Sequence, residues 1–529
     1  MKKISFAMGQ AAGIAINEVN ANATGSVGAG GASSFAGLVL ATRGGVNRVL
    51  SLTADNFTSV LGKPLHPRAG AAFEPYRHVQ TAVLGGNGSV VRVPAPGMMI
   101  PGITLQMVAA ADGKSTALKI ANTAFAASAT PGVPAGCFAM IYVDDGDASI
   151  NRKMKLVPDA QNTALYDLVL TETGDDGADV ILESLQVSFD PEARDDMGKT
   201  AFISAALENN NSRLRAVLSS DALAQSLKAA VTSDFTPFIG GTDGDFTKVT
   251  SNDYAKALTV LKKSQANFTA ILSLGCYDAA TLIALNQYAA DCRVDMFYDV
   301  KGAQNSTDAI KEAKGHNLSG QHVAARYYFP YSAMDSYSST SVVYGISCDA
   351  FVAKAKGVAL VNDVGGWHYS PAGTSRGVLN RSSIAVLPNL DEPDMDAMYA
   401  ARINSVSVTR AGDVYIDDSL TTYGKENYLR LQHISSLMNA IARDFYAIAG
   451  DLKHEPDGIT QDGLTSAMTN LLERYYAANA LVTPRDPSQG KEPFTVSVQQ
   501  LDIDKWQVTW SVCPTGTSRR IVGVPVLLR

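Results

Sequence analysis

Two segments in the last quarter of the chain place apolar residues three and four positions apart. This spacing gathers the apolar side chains on one helix face, so it predicts amphipathic helices over 431–448 and 464–475, separated by the turn Pro456-Asp457-Gly458. Further on, residues 506–512 alternate between apolar and polar, which is the period of a half-buried strand. Residues 401–529 are therefore predicted to form a C-terminal core domain with two helices followed by strands.

Strand-like and helix-like segments alternate in two other stretches. Between 36 and 102, an apolar run from Ala36 to Ala41 precedes a predicted helix over 73–84 and a strand over 89–93. Between 191 and 400, the predicted helices 252–263 and 278–291 alternate with the strands 268–274 and 294–300. Such alternation is typical of a sheet covered by helices. We therefore expect the first part of a mixed α/β core at 36–102 and an α/β middle domain at 191–400.

Residues 103–190 differ from their surroundings. They are rich in Ala, Thr and Val, show weak helical periodicity, and contain the turn clusters Asp144-Asp145-Gly146-Asp147 and Gly174-Asp175-Asp176-Gly177. This composition favours a separate β-rich insertion. The predicted fold class is α+β and multidomain.

Both ends of the chain carry short strand-like segments. In the N-terminal arm, residues 1–35, an alternating segment at 14–19 precedes the glycine-rich stretch 25–34, which has the composition of a flexible linker. The segment 521–528 is apolar but contains Pro525, which removes one ladder donor and places the strand at an edge or in a docked position. A strand on a flexible linker can pair at a distance from its own domain.

Composition and charge exclude several classes of protein. The chain has 529 residues, 46% hydrophobic and 18% charged, which is ordinary globular composition and too long for one core. A net charge of −7 does not indicate the clustered Lys and Arg residues that bind nucleic acid. No stretch of 18 apolar residues and no signal-peptide pattern is present, so we expect no membrane insertion and synthesis in the cytoplasm.

One pentapeptide, Gly373-Thr374-Ser375-Arg376-Gly377, fits the G-x-S-x-G pattern of a hydrolase nucleophile. That motif needs a buried strand before the serine and a helix after it, whereas a loop rich in glycine and proline precedes Ser375 here. His433 is the only plausible downstream base. A structural loop is favoured, and a serine hydrolase using Ser375 remains the enzymatic alternative.

No cofactor or metal motif is complete. Gly240–Gly244 lacks the Lys-Ser/Thr of a phosphate-binding loop, and the acidic turn at 144–147 lacks the ligand ladder of a calcium loop. The five cysteines have no CxxC spacing, and the seven histidines have no HxxxH or HExxH spacing. We therefore expect no catalytic residue, no cofactor and no metal. Free thiols are favoured, and a cross-link between subunits through a cysteine stays open.

Several motifs, in the same order along the chain, resemble those of the contractile tail-sheath family of myoviruses and related injection machines. They are Ser51–Gly62, Val83–Val93 with its Val-Arg-Val ending, Ile239–Gly244 followed by Asp253–Leu258, Ala324–Tyr331, Gly365–Gly373, and the ending from Val512 to Val522. The Gly365–Gly373 loop leads directly into Ser375, so the resemblance accounts for that serine without a nucleophile. No motif matches 103–190, as expected for the variable outward domain of such sheaths.

The resemblance implies a structural, non-catalytic subunit. It would polymerise with itself as stacked hexameric rings around a tail tube and contract to drive the tube through the host envelope for genome ejection. The further partners implied are the baseplate and tail terminator proteins, and the implied location is the virion tail, assembled in the host cytoplasm. A sheath subunit of a bacterial contractile injection system is the close alternative. The resemblance also implies strand exchange between subunits, for which the candidate residues are Ile14, Ile16, Val19, Val522, Val524 and Val526.

Overall fold

The computed structural model describes residues 33–520 except 110–115, 147, 149–150, 163, 175, 220–233 and 265. The core of the molecule begins with a short α/β segment. Its elements are β1 (Ser34–Val39), β2 (Val49–Leu52), α1 (Phe57–Leu61), α2 (Glu74–Ala82) and β3 (Asn87–Arg92).

A β-rich unit follows in the chain. Its elements are β4 (Met99–Ala109), β5 (Thr116–Ala126), β6 (Ala139–Val143), β7 (Arg152–Pro158), β8 (Tyr166–Thr173), β9 (Asp179–Val187), α3 (Ile203–Asn209), β10 (Leu214–Leu218) and β11 (Thr236–Pro237).

The core then resumes. Its elements are α4 (Ser251–Lys263), β12 (Ala270–Leu272), α5 (Ala279–Cys292), β13 (Asp295–Asp299), α6 (Ser306–Gly315), β14 (Ala324–Tyr327), β15 (Tyr331–Met334), β16 (Ser341–Val342), α7 (Ser347–Val358), β17 (Ala385–Val386), α8 (Met395–Ala400), β18 (Ile403–Asn404), β19 (Val406–Val408) and β20 (Val414–Ile416).

A C-terminal unit completes the described chain. Its elements are α9 (Gln432–Leu452), α10 (Asp457–Ala477), β21 (Phe494–Asp502) and β22 (Lys505–Val512).

The core is built on a sheet that, within the described residues, has seven strands in the order β18-β14-β13-β12-β1-β3-β2. All neighbouring pairs are parallel except β2 with β3. Parallel strands carry apolar residues on both faces because helices cover both. Accordingly, α2 and α7 pack on one face around Phe35 and Phe297, and α4 and α5 pack on the other around Ile271 and Met296.

The β-rich unit consists, in the part of the chain that is described, of two four-stranded antiparallel sheets, β10-β6-β4-β5 and β11-β7-β8-β9. Ile103 and Ile141 from the first sheet and Leu156 and Leu168 from the second belong to one buried cluster. The two sheets therefore pack face to face with a core of their own.

The predicted fold class, α+β with several domains, is confirmed. The contacts of the β-rich unit extend beyond the predicted segment 103–190, because β4 begins at Met99 and because β10 and β11 pair with β6 and β7. We propose that this domain spans Met99 to Thr242, where the chain returns to the core.

Candidate assembly site

The C-terminal unit ends in a long antiparallel hairpin, which pairs Phe494 with Val512 at its base and Asp502 with Lys505 near its tip. Within the described residues, its sheet contains β21 and β22 and no third strand. An isolated two-stranded hairpin is marginally stable in water, and its outer edges present unpaired N–H and C=O groups. This hairpin therefore has the backbone chemistry to accept further strands.

The inner face of the hairpin is anchored on the helix pair. The Trp510 ring lies 4.7 Å from the Phe445 ring of α9, centroid to centroid. Val496 and Val508 join the same apolar cluster. The opposite face is exposed and polar, with Thr495, Ser497, Gln499, Gln507 and Thr509. Packing among the described residues thus fixes one face of the hairpin and leaves its edges and its other face uncovered by them.

Helix α9 joins the hairpin to the core because two of its faces are buried. Its apolar face packs into the cluster that contains α10 and the hairpin. Its polar face bonds to the core sheet. Ser435 Oγ donates to the His322 carbonyl at 2.7 Å, Asn439 Nδ2 donates to Asp295 Oδ1 at 3.2 Å, and Ser436 Oγ bonds to the other oxygen of Asp295.

The apolar face of α9 was predicted from the sequence, whereas its polar face was not. The missed signal is the second three-and-four spacing, formed by Gln432, Ser435, Ser436, Asn439 and Arg443. Tyr327 Oη donates to Gln432 Oε1 at 2.9 Å, and Arg443 Nη1 donates to the Arg293 carbonyl at 2.5 Å. These bonds lie along the first half of the helix, from Gln432 to Arg443, and fix its register on the core.

A buried lysine on α7 fastens the loop 365–373. The Lys354 side chain is 3% exposed, and its Nζ donates to the carbonyl oxygen of Tyr369 at 3.0 Å and to that of Trp367 at 2.5 Å. Burial lowers the pKa of Lys354 to about 8 and raises the pKa of the Asp295 carboxyl. The loop that resembles a family motif is thus held by a charged group from inside the core.

Ser375 follows this loop in a turn closed by a 2.8 Å bond from the Gly377 N–H to the Gly373 carbonyl. Neither a strand before it nor a helix after it is found in the described chain around it. Its side chain is exposed, whereas His433 is 1% exposed and its Nε2 has no hydrogen-bond partner among the described residues. The structure does not bring the serine and the histidine together as a nucleophile and its base.

A cysteine, a histidine and an aspartate that sequence analysis did not single out gather in the interior. Cys348 and His78 are 0% exposed and Asp299 is 1% exposed. Burial by itself lowers the pKa of His78, but Cys348, Glu74 and Asp299 raise that pKa to about 10. Asp299 Oδ1 accepts the N–H groups of Ile346 and Ser347 at 2.8 and 2.9 Å. These residue types serve nucleophilic catalysis elsewhere, but here they are closed to solvent and tie α2, β13 and α7 together.

Metal-binding groups and membrane-spanning helices are absent from the described residues. Across the described ranges, no group of three or more His, Cys, Asp or Glu residues is placed to hold a metal ion. None of the described helices has both the length and the apolar character needed to cross a bilayer.

The six residues predicted for strand exchange, Ile14, Ile16, Val19, Val522, Val524 and Val526, lie outside the described residues. Their role therefore stays a prediction. Two other motif residues meet in space: Arg92, from the Val-Arg-Val motif, bonds to Asp243, from the Gly-Gly-Thr-Asp-Gly motif, with Nη2 to Oδ1 at 3.2 Å.

The fold is that of contractile sheath proteins. The chain is similar to the sheath tail protein of Listeria innocua, with a TM-score of 0.54 and 14% identity over 93% of each chain. It is also similar to the helical sheath of the anti-feeding prophage in its contracted state, with a TM-score of 0.50 and 12% identity over 98% of this chain and 99% of that one. No protein-family model matches the sequence, and no curated protein matches it. The predicted resemblance to contractile sheaths is thus confirmed at the level of the fold.

Proposed function

We propose that this chain is the structural, non-catalytic subunit of a contractile tail sheath. The observation that carries the proposal is a likeness of fold over 93% of this chain and 93% of a sheath tail protein. The subunit polymerises as stacked hexameric rings around a tail tube, joins a baseplate and a tail terminator, and contracts to drive the tube through the host envelope. Its place is the tail of a virion assembled in the host cytoplasm.

Strand donation is the proposed means of polymerisation. A terminal segment of one subunit, through Ile14, Ile16 and Val19 or through Val522, Val524 and Val526, adds to an outer edge of the β21–β22 hairpin of another. About five ladder bonds at roughly 1 kcal/mol net each, with a few buried Val or Ile at about 1.5–3 kcal/mol each, suffice to hold such a junction. Support comes from the two-stranded state of the hairpin within the described residues.

Deleting residues 1–20 tests this proposal. We expect a folded, soluble monomer that builds no cylinders in negative-stain micrographs, whereas the full chain builds striated hollow cylinders. The double variant Ile14→Lys/Ile16→Lys should behave like the deletion, and Asn17→Lys, on the alternate face of the same segment, should still polymerise. Normal cylinders from the truncated chain would show that the N-terminal segment is not the donor, and normal cylinders also from a Val522→Lys/Val524→Lys variant would show that strand donation is wrong. Absence of cylinders from the full chain would count against the sheath itself.

Tube attachment is proposed for the helices around 425–478, on the position that these helices have in the sheath family, with the exposed face of α10 as the contact. Gln461, Asp462, Thr465 and Glu473 are exposed along this helix while Met468 and Tyr475 are buried beneath it. The double reversal Asp462→Lys/Glu473→Lys should therefore weaken co-sedimentation of sheath with purified tube. Glu192→Lys, an exposed reversal in the β-rich unit, serves as the matched control. Unchanged tube binding by the α10 variant would assign the contact to another surface.

A sheath subunit of a contractile injection system is the second candidate. The likeness to the anti-feeding prophage sheath, over 98% of this chain, favours it. Purified particles separate the two candidates, because a virion tail joins a DNA-filled head whereas an injection system carries none.

A further inference from the structure

The β-rich unit is attached to the core where two chain segments cross side by side. Met99 and Thr242 exchange both backbone hydrogen bonds, with N–O distances of 2.9 and 3.0 Å, and the Asp245 N–H donates to the Pro96 carbonyl at 3.0 Å. We call the two segments, 96–99 and 242–245, the neck. A two-segment neck of this kind restrains twisting weakly, so any fixed angle between the parts needs contacts beside it.

Arg92 supplies three of those contacts from the end of β3. Its side chain is 1% exposed. Nη1 donates to the Gly44 carbonyl of the core and to the Gly146 carbonyl of the β-rich unit, each at 3.0 Å, while Nη2 reaches Asp243 of the neck at 3.2 Å. One planar guanidinium thus holds the core, the β-rich unit and the neck at the same time, which the single ammonium of lysine does not reproduce.

The backbone of Gly146 is adapted to this contact. Its φ is +63°, and a Cβ added there would lie 2.4 Å from Arg92 Nη1 and 3.1 Å from the Gly44 oxygen. A side chain would therefore displace the guanidinium as well as strain the backbone.

Further pairs of opposite charge surround Arg92 across the same junction. Arg48 Nη1 of the core lies 2.6 Å from Asp144 Oδ2, and Arg43 Nε lies 4.0 Å from Asp145 Oδ2. The Gly44 N–H also donates to the Asp145 carbonyl at 2.5 Å. The turn 144–146 of the β-rich unit is therefore bound by basic side chains and by backbone from the core.

We propose that Arg92 is a clasp that sets the angle of the β-rich unit on the core, and that its loss frees this unit to swing while both parts stay folded. Arg92 and Asp243 each belong to one of the sequence motifs described above, and the proposed strand exchange gives neither residue a role. The clasp acts within one subunit and does not depend on polymerisation.

Hydrogen exchange of the full chain before assembly tests the clasp, with Arg92→Met as the variant. We expect amides of the neck and of residues 44–46 to exchange at least 10-fold faster, while those of β8 and β13 keep their wild-type rates. Small-angle scattering should show a broader distribution of interatomic distances. Arg213→Met is the matched control, because its partner Glu183, at 3.0 Å, lies in the same β-rich unit.

Asp243→Asn and Gly146→Ala keep the test decisive if Arg92→Met is insoluble. Asp243→Asn removes the charge that pairs with Arg92, and Gly146→Ala displaces the guanidinium of Arg92. Each substitution should therefore also speed amide exchange at the neck. Neck rates within twofold of wild type in these variants would overturn the proposal. A uniform increase across β8, β13 and the neck would overturn it too, because Arg92 would then only support overall stability.

Discussion

Arg77 on α2 holds together parts of the core that are far apart in sequence. Its side chain is 2% exposed, and its Nε and Nη2 each donate to one carboxylate oxygen of Asp335 at 2.9 Å. Nη1 donates to the carbonyls of Leu65 and Phe73 at 2.6 and 3.1 Å. Because the pair is buried, removing Arg77 leaves the Asp335 carboxylate without its ion partner, held within the described chain only by hydrogen bonds from the Ser338 N–H and Oγ to Oδ2 at 3.0 and 2.5 Å.

Arg77→Met is therefore expected to lower the free energy of unfolding by about 3–5 kcal/mol, measured by chemical denaturation. Lys153→Met is the control, since Lys153 and Asp179 form an exposed pair at 3.1 Å and such pairs contribute at most about 1 kcal/mol. A loss below about 1 kcal/mol for Arg77→Met would contradict the assignment.

His433 gives a prediction for pH. Burial lowers the pKa of this histidine to about 3, while the unfolded chain keeps the ordinary value of about 6.5. Below pH 6.5 the unfolded chain therefore binds a proton that the folded chain refuses, and the wild type loses stability down to about pH 3. The variant His433→Gln lacks this loss.

The stability difference between wild type and His433→Gln should be constant above about pH 7 and should move by about 2 kcal/mol in favour of the variant at pH 5. Denaturant titrations of both proteins at the two pH values check this. The two proteins must be compared because burial also raises the pKa of Asp444, to about 7. The folded chain therefore binds a proton at Asp444 more readily than the unfolded chain does, and this stabilises the fold as the pH falls below 7. A difference that does not change with pH would show that His433 binds its proton equally well in the folded and the unfolded chain.

At the scale of elements, the hairpin depends on the helix pair more than on its own two strands. Trp510 lies on the inner face and Thr509 on the outer face. Trp510→Ala should cost the docked hairpin about 2 kcal/mol, since the ring is half-buried, and should speed amide exchange in β21 and β22 about 30-fold. Thr509→Ala should stay within about twofold of wild type in the same measurement. Equal effects of the two substitutions would mean that the hairpin is stable without its anchor.

Periodicity predicted several elements closely because one face of each is apolar and the other exposed. The predicted helix 464–475 lies within α10, and the strand 506–512 lies within β22. Periodicity did not reveal the polar contacts of α9, because buried Ser436 and Asn439 look in sequence like exposed residues until Asp295 is placed beside them. The strand β21 was also missed, although Phe494, Val496 and Val498 alternate with polar residues there.

At the scale of the whole molecule, the β-rich unit is an insertion whose two ends meet. Because Met99 and Thr242 are paired by two backbone bonds, a two-residue Asn-Gly turn fits between them in place of residues 100–241. We expect the shortened chain to be soluble and to unfold cooperatively in circular dichroism. If the sheath proposal holds, it should build cylinders of smaller outer diameter. An insoluble or molten product would show that the core needs the insertion to fold.

The extent of this unit could not be predicted from the sequence alone. Composition changes near residue 103, but β10 and β11 pair with strands that precede them by more than 60 residues. Local patterns do not reveal such partners. The contact between Arg92 and Asp243 joins positions 151 residues apart and was hidden for the same reason.

The order of the elements along the chain has a consequence for synthesis. The hairpin packs on α9 and α10, and α9 bonds to Asp295 and His322, so in the described part of the chain the surfaces that hold the hairpin precede it in the sequence. A growing chain folds its earlier parts first as it leaves the ribosome. The hairpin can dock only after those parts have emerged and folded. The edges proposed to receive a neighbour's strand are thus completed late in translation, which keeps nascent chains on one messenger RNA from joining before they are finished.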